Sequence, residues 1–167
     1  WIGTGGGGLT HFADGTFKTF TTQDGLSNDS VSCLLEDASG DIWIGTNGGG
    51  LNRFHHGQFT SYDTKRGLPN NQVFALATGA HGVLWIGTHE GLARFSNGVF
   101  RTYRTADGLP NDYVRALSVV PGGALWIGTS GGGLARFQDG RFKTFTVRDG
   151  LPSNFVVALT IAPNGNL

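Results

Sequence analysis

The tetrapeptide Trp-Ile-Gly-Thr begins at Trp1, Trp43, Trp85 and Trp126, at spacings of 42, 42 and 41 residues. Self-similarity at a fixed period of this size belongs to chains in which one supersecondary unit is stacked on copies of itself. The period constrains the fold before any single residue is considered, and most repeated residues are expected to serve the repeat. The 29 glycines among 167 residues recur in register with the tryptophans, so they mark turns of an ordered repeat and not low complexity.

One unit reads as four short strands: Ser30 to Leu35 (A), Asp41 to Thr46 (B), Leu51 to Phe54 (C) and Gln58 to Tyr62 (D). Ala38-Ser39-Gly40-Asp41 turns between A and B, Asn47-Gly48-Gly49-Gly50 between B and C, and His56-Gly57 between C and D. The C–D turns of the other units are Asp14-Gly15, Asn97-Gly98 and Asp139-Gly140, dipeptides that supply the positive φ of a type I′ hairpin. No stretch between turns is long enough, or periodic at 3.6, to be a helix. Four short antiparallel strands per repeat make an all-β fold, a β-propeller of four-stranded blades with A lining the channel and D the rim. Val31 and Leu34, which recur as Val73/Leu76, Val114/Leu117 and Val156/Leu159, are expected on opposite faces of strand A because side chains alternate. Trp1, Trp43, Trp85 and Trp126, with Phe54, Phe95 and Phe137, are expected to fill the space between blades, each aromatic burying roughly 150–250 Å².

The residue types also exclude functions. Lys plus Arg number 12 and Asp plus Glu number 12, so nothing in the net charge favours nucleic acid or an anionic membrane. No apolar run approaches the ~20 residues of a spanning helix. With neither signal peptide nor initiating Met, the chain is expected to be a mature fragment or an excised piece. Cys33 is alone and stands where Ala75, Ala116 and Ala158 stand elsewhere, which reads as a small buried residue without a disulfide. The five histidines (His11, His55, His56, His81, His89) lack ligand spacing, so no metal and no cofactor is expected. No nucleophile–base signature or phosphate loop appears, and no enzymatic activity is expected.

Chemistry is expected where the D–A connections and B–C turns share one face. Asp24 to Asp29, Arg66 to Asn71, Asp107 to Asp112 and Asp149 to Asn154 place a ring of Asn and Asp there, including Asn28, Asn70 and Asn111. Such residues fold turns by bonding their own backbone, and that accounts for most of the pattern. The position after each ring varies, as Ser30, Gln72, Tyr113 and Phe155, and a varying position in a repeated loop is where specificity is sought. Arg115 is the charged residue in the middle of an A strand; it reads equally as a side chain projecting into a water-filled channel and as a bidentate donor to an anionic or polyhydroxylated ligand. In the third repeat His89-Glu90 replaces a three-residue Asn/Gly or Ser/Gly stretch, which reads either as a surface turn that tolerated a deletion or as a polar contact at the mouth. Candidate ligand residues are thus Arg115, Tyr113, Gln72, Phe155, Asn28, Asn70, Asn111, His89 and Glu90.

The string Trp-Ile-Gly-Thr-x-Gly-Gly-Gly-Leu-x-Arg-Phe, followed by Asp-Gly, Phe-x-x-Phe/Tyr and Asp-Gly-Leu-Pro-Asn, resembles the two-component regulator propeller repeat; residues 126–152 carry it most fully. The resemblance implies a large propeller outside the cytoplasmic membrane, ahead of a kinase and regulator, with a carbohydrate-like ligand in some members. It implies a periplasmic or extracytoplasmic place for the parent protein. The residues alone leave open an excised or engineered scaffold without a ligand and, further off, a propeller hydrolase or lyase.

The ends bear on closure. The chain starts inside strand B at Trp1 and ends on Pro163-Asn164-Gly165-Asn166-Leu167, an A–B turn, so Phe155 to Ala162 reads as strand A of the first blade. Residues 1–167 then form a single propeller unit whose first blade is completed by the C-terminal strand. That completion gives either a four-bladed monomer or, head to tail, a homodimer with an eight-bladed ring. The dimer is the expectation, because four compact glycine-rich blades turn steeply to close and the family resembled builds larger rings.

Overall fold

The computed structural model describes residues 1–167 and contains three four-stranded antiparallel sheets and one three-stranded sheet. The incomplete sheet is β1 (Ile2–Gly3), β2 (Leu9–Ala13) and β3 (Thr16–Phe20). The second blade is β4 (Val31–Glu36), β5 (Ile42–Thr46), β6 (Leu51–His55) and β7 (Gln58–Tyr62). The third is β8 (Val73–Thr78), β9 (Leu84–Thr88), β10 (Gly91–Ser96) and β11 (Val99–Tyr103). The fourth is β12 (Val114–Val119), β13 (Leu125–Thr129), β14 (Leu134–Gln138) and β15 (Arg141–Phe145). Each sheet is a meander, and the innermost strands β4, β8 and β12 lie side by side.

The turns form as their residues dictate. Asp14-Gly15, His56-Gly57, Asn97-Gly98 and Asp139-Gly140 all have positive φ at both positions, as a type I′ hairpin demands. The D–A connections each contain one 3-10 turn, such as Thr22–Asp24, closed by a glycine at φ near 100°. This is the glycine of the Gly-Leu pair, and its leucine (Leu26, Leu68, Leu109) is buried beneath the next blade.

Each Trp-Ile-Gly-Thr residue has one task. The Ile is fully buried on the face toward the preceding blade, as Ile44, Ile86 and Ile127. The Trp faces the following blade: Trp43 packs on Tyr62 and Phe95, and Trp85 on Tyr103 and Phe137. Trp1 does the same against Phe20 and Phe54 but is more exposed, and Trp126 meets only Phe145. The Gly is where the next blade's inner strand crosses; a Cβ on Gly87 would stand 2.7 Å from Val114 Cγ1. The Thr, fully buried, donates through Oγ1 to the carbonyl of Gly50, Gly91 or Gly133 at 2.8 Å and so pins the B–C turn.

Two expectations are corrected. Val31 and Leu34 do not face opposite ways: Val31 pairs with Thr46 and Leu34 with Ile44, and both pack toward the first blade. A β-bulge at Ser32 adds a residue, so a separation of three positions keeps the same face; Phe74 and Arg115 occupy the bulge in β8 and β12. The second correction concerns Phe155 to Ala162, read as strand A of the first blade. Val156 donates to the Thr129 carbonyl at 2.9 Å and docks against the fourth blade, but the segment that follows forms no strand and bonds nowhere to residues 1–4. The first blade therefore has three strands, and the four-bladed monomeric ring is not formed. The fold is an open arc.

Candidate functional site

The upper face is built from interlocking turns. Gly48 and Gly50 donate to the Asn71 carbonyl at 3.0 and 2.9 Å, which ties each B–C turn to the connection entering the next blade. Asn28, Asn70 and Asn111 each accept, through Oδ1, the N–H two residues on, at 2.8 Å. Asp29, Asn71, Asp112 and Asn154 accept from Thr22, Thr64, Thr105 and Val147 at 2.7–3.0 Å. The Asn and Asp ring is thereby committed to shaping loops, and its carboxamide and carboxylate oxygens are largely spent on backbone.

The varying positions form the cluster that remains. The bulge turns Arg115 inward, where its guanidinium lies 5.0 Å from the Phe74 ring centre and 5.3 Å from that of Tyr113, and Nη1 donates to the Tyr113 hydroxyl at 2.9 Å. Tyr113 stacks on Phe74 at 5.1 Å and on His89 at 4.5 Å between ring centres. Gln72 Nε2 donates to Asn47 Oδ1 at 3.0 Å nearby. A pocket of about 390 Å³ lies on the channel side, bounded by Ser32, Asn47, Phe74, Arg115 and Val157. No carboxylate lies within ion-pairing distance of Arg115; the salt bridges of the chain both involve Asp41. A stacked, half-buried guanidinium without a counter-ion, flanked by aromatic faces, is chemistry for a planar anion or an acidic polyol.

The structure brings Arg115, Tyr113 and His89 together, with Gln72 at the edge. Phe155, mostly exposed, bridges to Ser130 and stands by Gly131 at the trailing end of the arc. Glu90 is exposed, and its N–H donates to Thr88 Oγ1 in the short turn. Phase reasoning from the sequence missed Phe74, because a strict alternation hides the bulge that aims it. The three-residue recurrence of Val and Leu within one strand was the available signal.

A second polar cluster went unread. Asp41, almost fully buried, accepts from Arg53 Nε at 2.8 Å and is also bound by Arg53 Nη2 and His55 Nδ1. Burial pushes its carboxyl up, but the bonds from His55 and Arg53, with the Arg53 charge, outweigh burial and hold it below the usual range. Beside it Asp37 accepts from Trp43 Nε1 at 2.8 Å, and a pocket of about 500 Å³ opens between the second and third blades. Trp43, Tyr62 and Phe95 in its wall are already engaged in the inter-blade joint. Burial likewise pushes the Cys33 thiol up to about 12, so it stays protonated and acts as packing.

Comparison with known proteins gives a family and a context. The family model described as "Two component regulator propeller" matches residues 25–48, 67–90 and 108–131, each span running from the Gly-Leu turn through strands A and B. The extracellular domain of a hybrid two component system from B. thetaiotaomicron matches 99% of this chain at 28% identity and a TM-score of 0.85. The extracellular domain of a one component system from the same organism matches 96% at 19% identity and a TM-score of 0.78. The chain spans 23% of either of those chains. Virginiamycin B lyase from Staphylococcus aureus matches 81% of the chain, and 46% of its own length, at 19% identity and a TM-score of 0.65, a likeness of fold alone. Comparison with curated proteins gives no match. No helix is long and apolar enough to cross a membrane. Three stretches of the chain match the two component regulator propeller repeat, and the chain resembles, over nearly all its length, part of the extracellular domain of a hybrid two-component system.

Proposed function

We propose that this chain is a non-catalytic, ligand-sensing arc of an extracytoplasmic propeller, and that its ligand is a carbohydrate-like molecule carrying an acidic group. The observation behind this reading is Arg115: stacked between Phe74 and Tyr113, bonded to the Tyr113 hydroxyl, and without a carboxylate partner. Tyr113 and His89 offer ring faces to a sugar, Gln72 offers an amide, and Arg115 fixes a carboxylate or sulfate by two parallel donors. Asn28, Asn70 and Asn111 support the site as loop formers, and Phe155 and Glu90 stand at its periphery. The extracellular domains it resembles support an extracytoplasmic setting, and the lyase likeness, at 19% identity, is one of fold alone.

The test is a thermal-shift screen of neutral and acidic oligosaccharides. A ligand that binds the folded arc raises its melting temperature by mass action, by an amount that grows with concentration. The expected hits carry a carboxylate or sulfate, and Arg115→Ala or Tyr113→Ala abolishes the shift with folding intact. A second reading is an assembly scaffold without a ligand. A screen without a single hit on folded protein selects it.

A further inference from the structure

The joint between the second and third blades carries a carboxylate that the repeat does not require. Asp37 closes the A–B turn of the second blade. Its Oδ1 accepts the N–H of Ser39 at 2.8 Å and of Asp41 at 3.2 Å, and its Oδ2 accepts the Trp43 indole N–H at 2.8 Å. Gly79 and Val120 stand at this position in the next two units and offer no side-chain acceptor, so the turn folds without one. Three donors do not use Asp37 up: Oδ2 takes one bond where a carboxylate oxygen can take two.

Asp37 lies in the wall of the cavity of about 500 Å³ between these blades, a volume within the range of small-molecule sites. Every wall residue falls between Asp37 and Gly98, so the cavity is complete inside the arc. Trp43, Tyr62 and Phe95 give it an apolar side, held rigid by their contacts with one another. Thr78 and Asn97 line it from the third blade, with side chains that bond to nothing else in the chain. Arg53 is also in the wall, but its Nε and Nη2 are spent on Asp41. Both salt bridges of the chain belong to Asp41, and no Lys, Arg or His lies within ion-pairing distance of Asp37. Asp37 is therefore the uncompensated charge of the cavity. The A–B and C–D turns that border it lie at the strand ends opposite the B–C turns, so it opens on the face away from Arg115 and Tyr113.

We propose that this cavity is a second binding site, for a small organic amine: a protonated ammonium on a flat apolar body. The ammonium donates to the open side of Asp37 Oδ2. The body lies against Tyr62 and Phe95, whose ring faces add a cation–π attraction. Because those rings are already fixed by the joint, binding does not have to order them. A carboxylate-bearing molecule is repelled by Asp37, so cavity and mouth select ligands of opposite charge. The two share no residue, and one can exist without the other.

NMR titration of the 167-residue chain with benzylamine, benzyl alcohol and benzoate tests this. With benzylamine the expected result is saturable movement of the Trp43 indole, Ser39 and Asp41 N–H signals, the three that donate to Asp37, while that of Tyr113 stays in place. Benzyl alcohol binds at least tenfold more weakly and benzoate does not bind. Asp37→Asn, which keeps the size of the side chain, weakens benzylamine binding at least tenfold. Ser39→Lys does the same by setting an ammonium of the protein's own beside Asp37; Ser39 is exposed and bonds Asp37 through its backbone alone. Circular dichroism checks that each variant keeps its strand content. Benzyl alcohol bound as tightly as benzylamine overturns the proposal and assigns the cavity to neutral ligands. No saturation with benzylamine, movement of none of the three signals, or binding that survives both substitutions overturns it as well.

Discussion

At the residue scale, a side chain here is fixed by which blade crosses it. Gly87 is glycine because Val114 of the next inner strand occupies the space a Cβ needs. Gly87→Ala is expected to cost about 1–3 kcal/mol by overpacking, read as a lower denaturation midpoint in urea, whereas Cys33→Ala, which installs the residue of the other repeats, stays near neutral. Asp41 behaves differently because it is charged and buried. Its folded pKa lies below the ordinary aspartate value, so its stabilisation is full above that ordinary value, about 3.9, and is lost as pH falls through the lower folded value. Asp41→Asn is expected to cost about 1.5–3 kcal/mol near neutral pH, by the usual strength of bonds to a charged group, and to flatten the acid limb of the stability profile. An unchanged acid limb in that variant contradicts the ion cluster as a structural device.

At the element scale, cohesion resides in the joints between blades, since each sheet is thin and covered on both faces. Trp85, Tyr103, Phe137 and Phe142 make one joint from two blades. Trp85→Ala is expected to cost about 3–5 kcal/mol, and Trp126→Ala distinctly less in the 167-residue chain, where its ring meets only Phe145; equilibrium unfolding checks both. The strands of the unit from Ser30 to Tyr62 were readable to within a residue at either end, because short apolar runs alternate with Asn-Gly, Asp-Gly and Gly-rich turns, whereas Phe155 to Ala162, read as a strand, forms none. The bulge at Ser32, Phe74 and Arg115 was not, because alternation assumes an unbroken pleat. The Asp41 cluster was also hidden, since it joins residues 12 and 14 positions apart across neighbouring strands. Its trace in the sequence is that Asp41 stands where the other units have Val83, Ala124 and Asn166.

At the scale of the whole molecule, four repeats make an arc whose inner wall carries the variable residues and whose ends carry open joints. The repeat made the fold legible, since one unit read four times confirms itself. The site was legible only in part. Repetition marked Tyr113, Gln72, His89 and Arg115 as departures, yet it also drew attention to Asn28, Asn70 and Asn111, whose oxygens the structure shows bonded to their own loops. Variation at a position says that the repeat does not need the residue; geometry says whether anything else does. The most direct measurement is a calorimetric titration of the folded chain and of Arg115→Ala with an oligosaccharide bearing a carboxylate and with its neutral counterpart. Saturable binding of the acidic sugar, weakened at least tenfold by the substitution (about 1.4 kcal/mol) and much weaker for the neutral one, is the predicted result. Equal binding of both sugars, or binding that Arg115→Ala leaves unchanged, would contradict the assignment of the mouth.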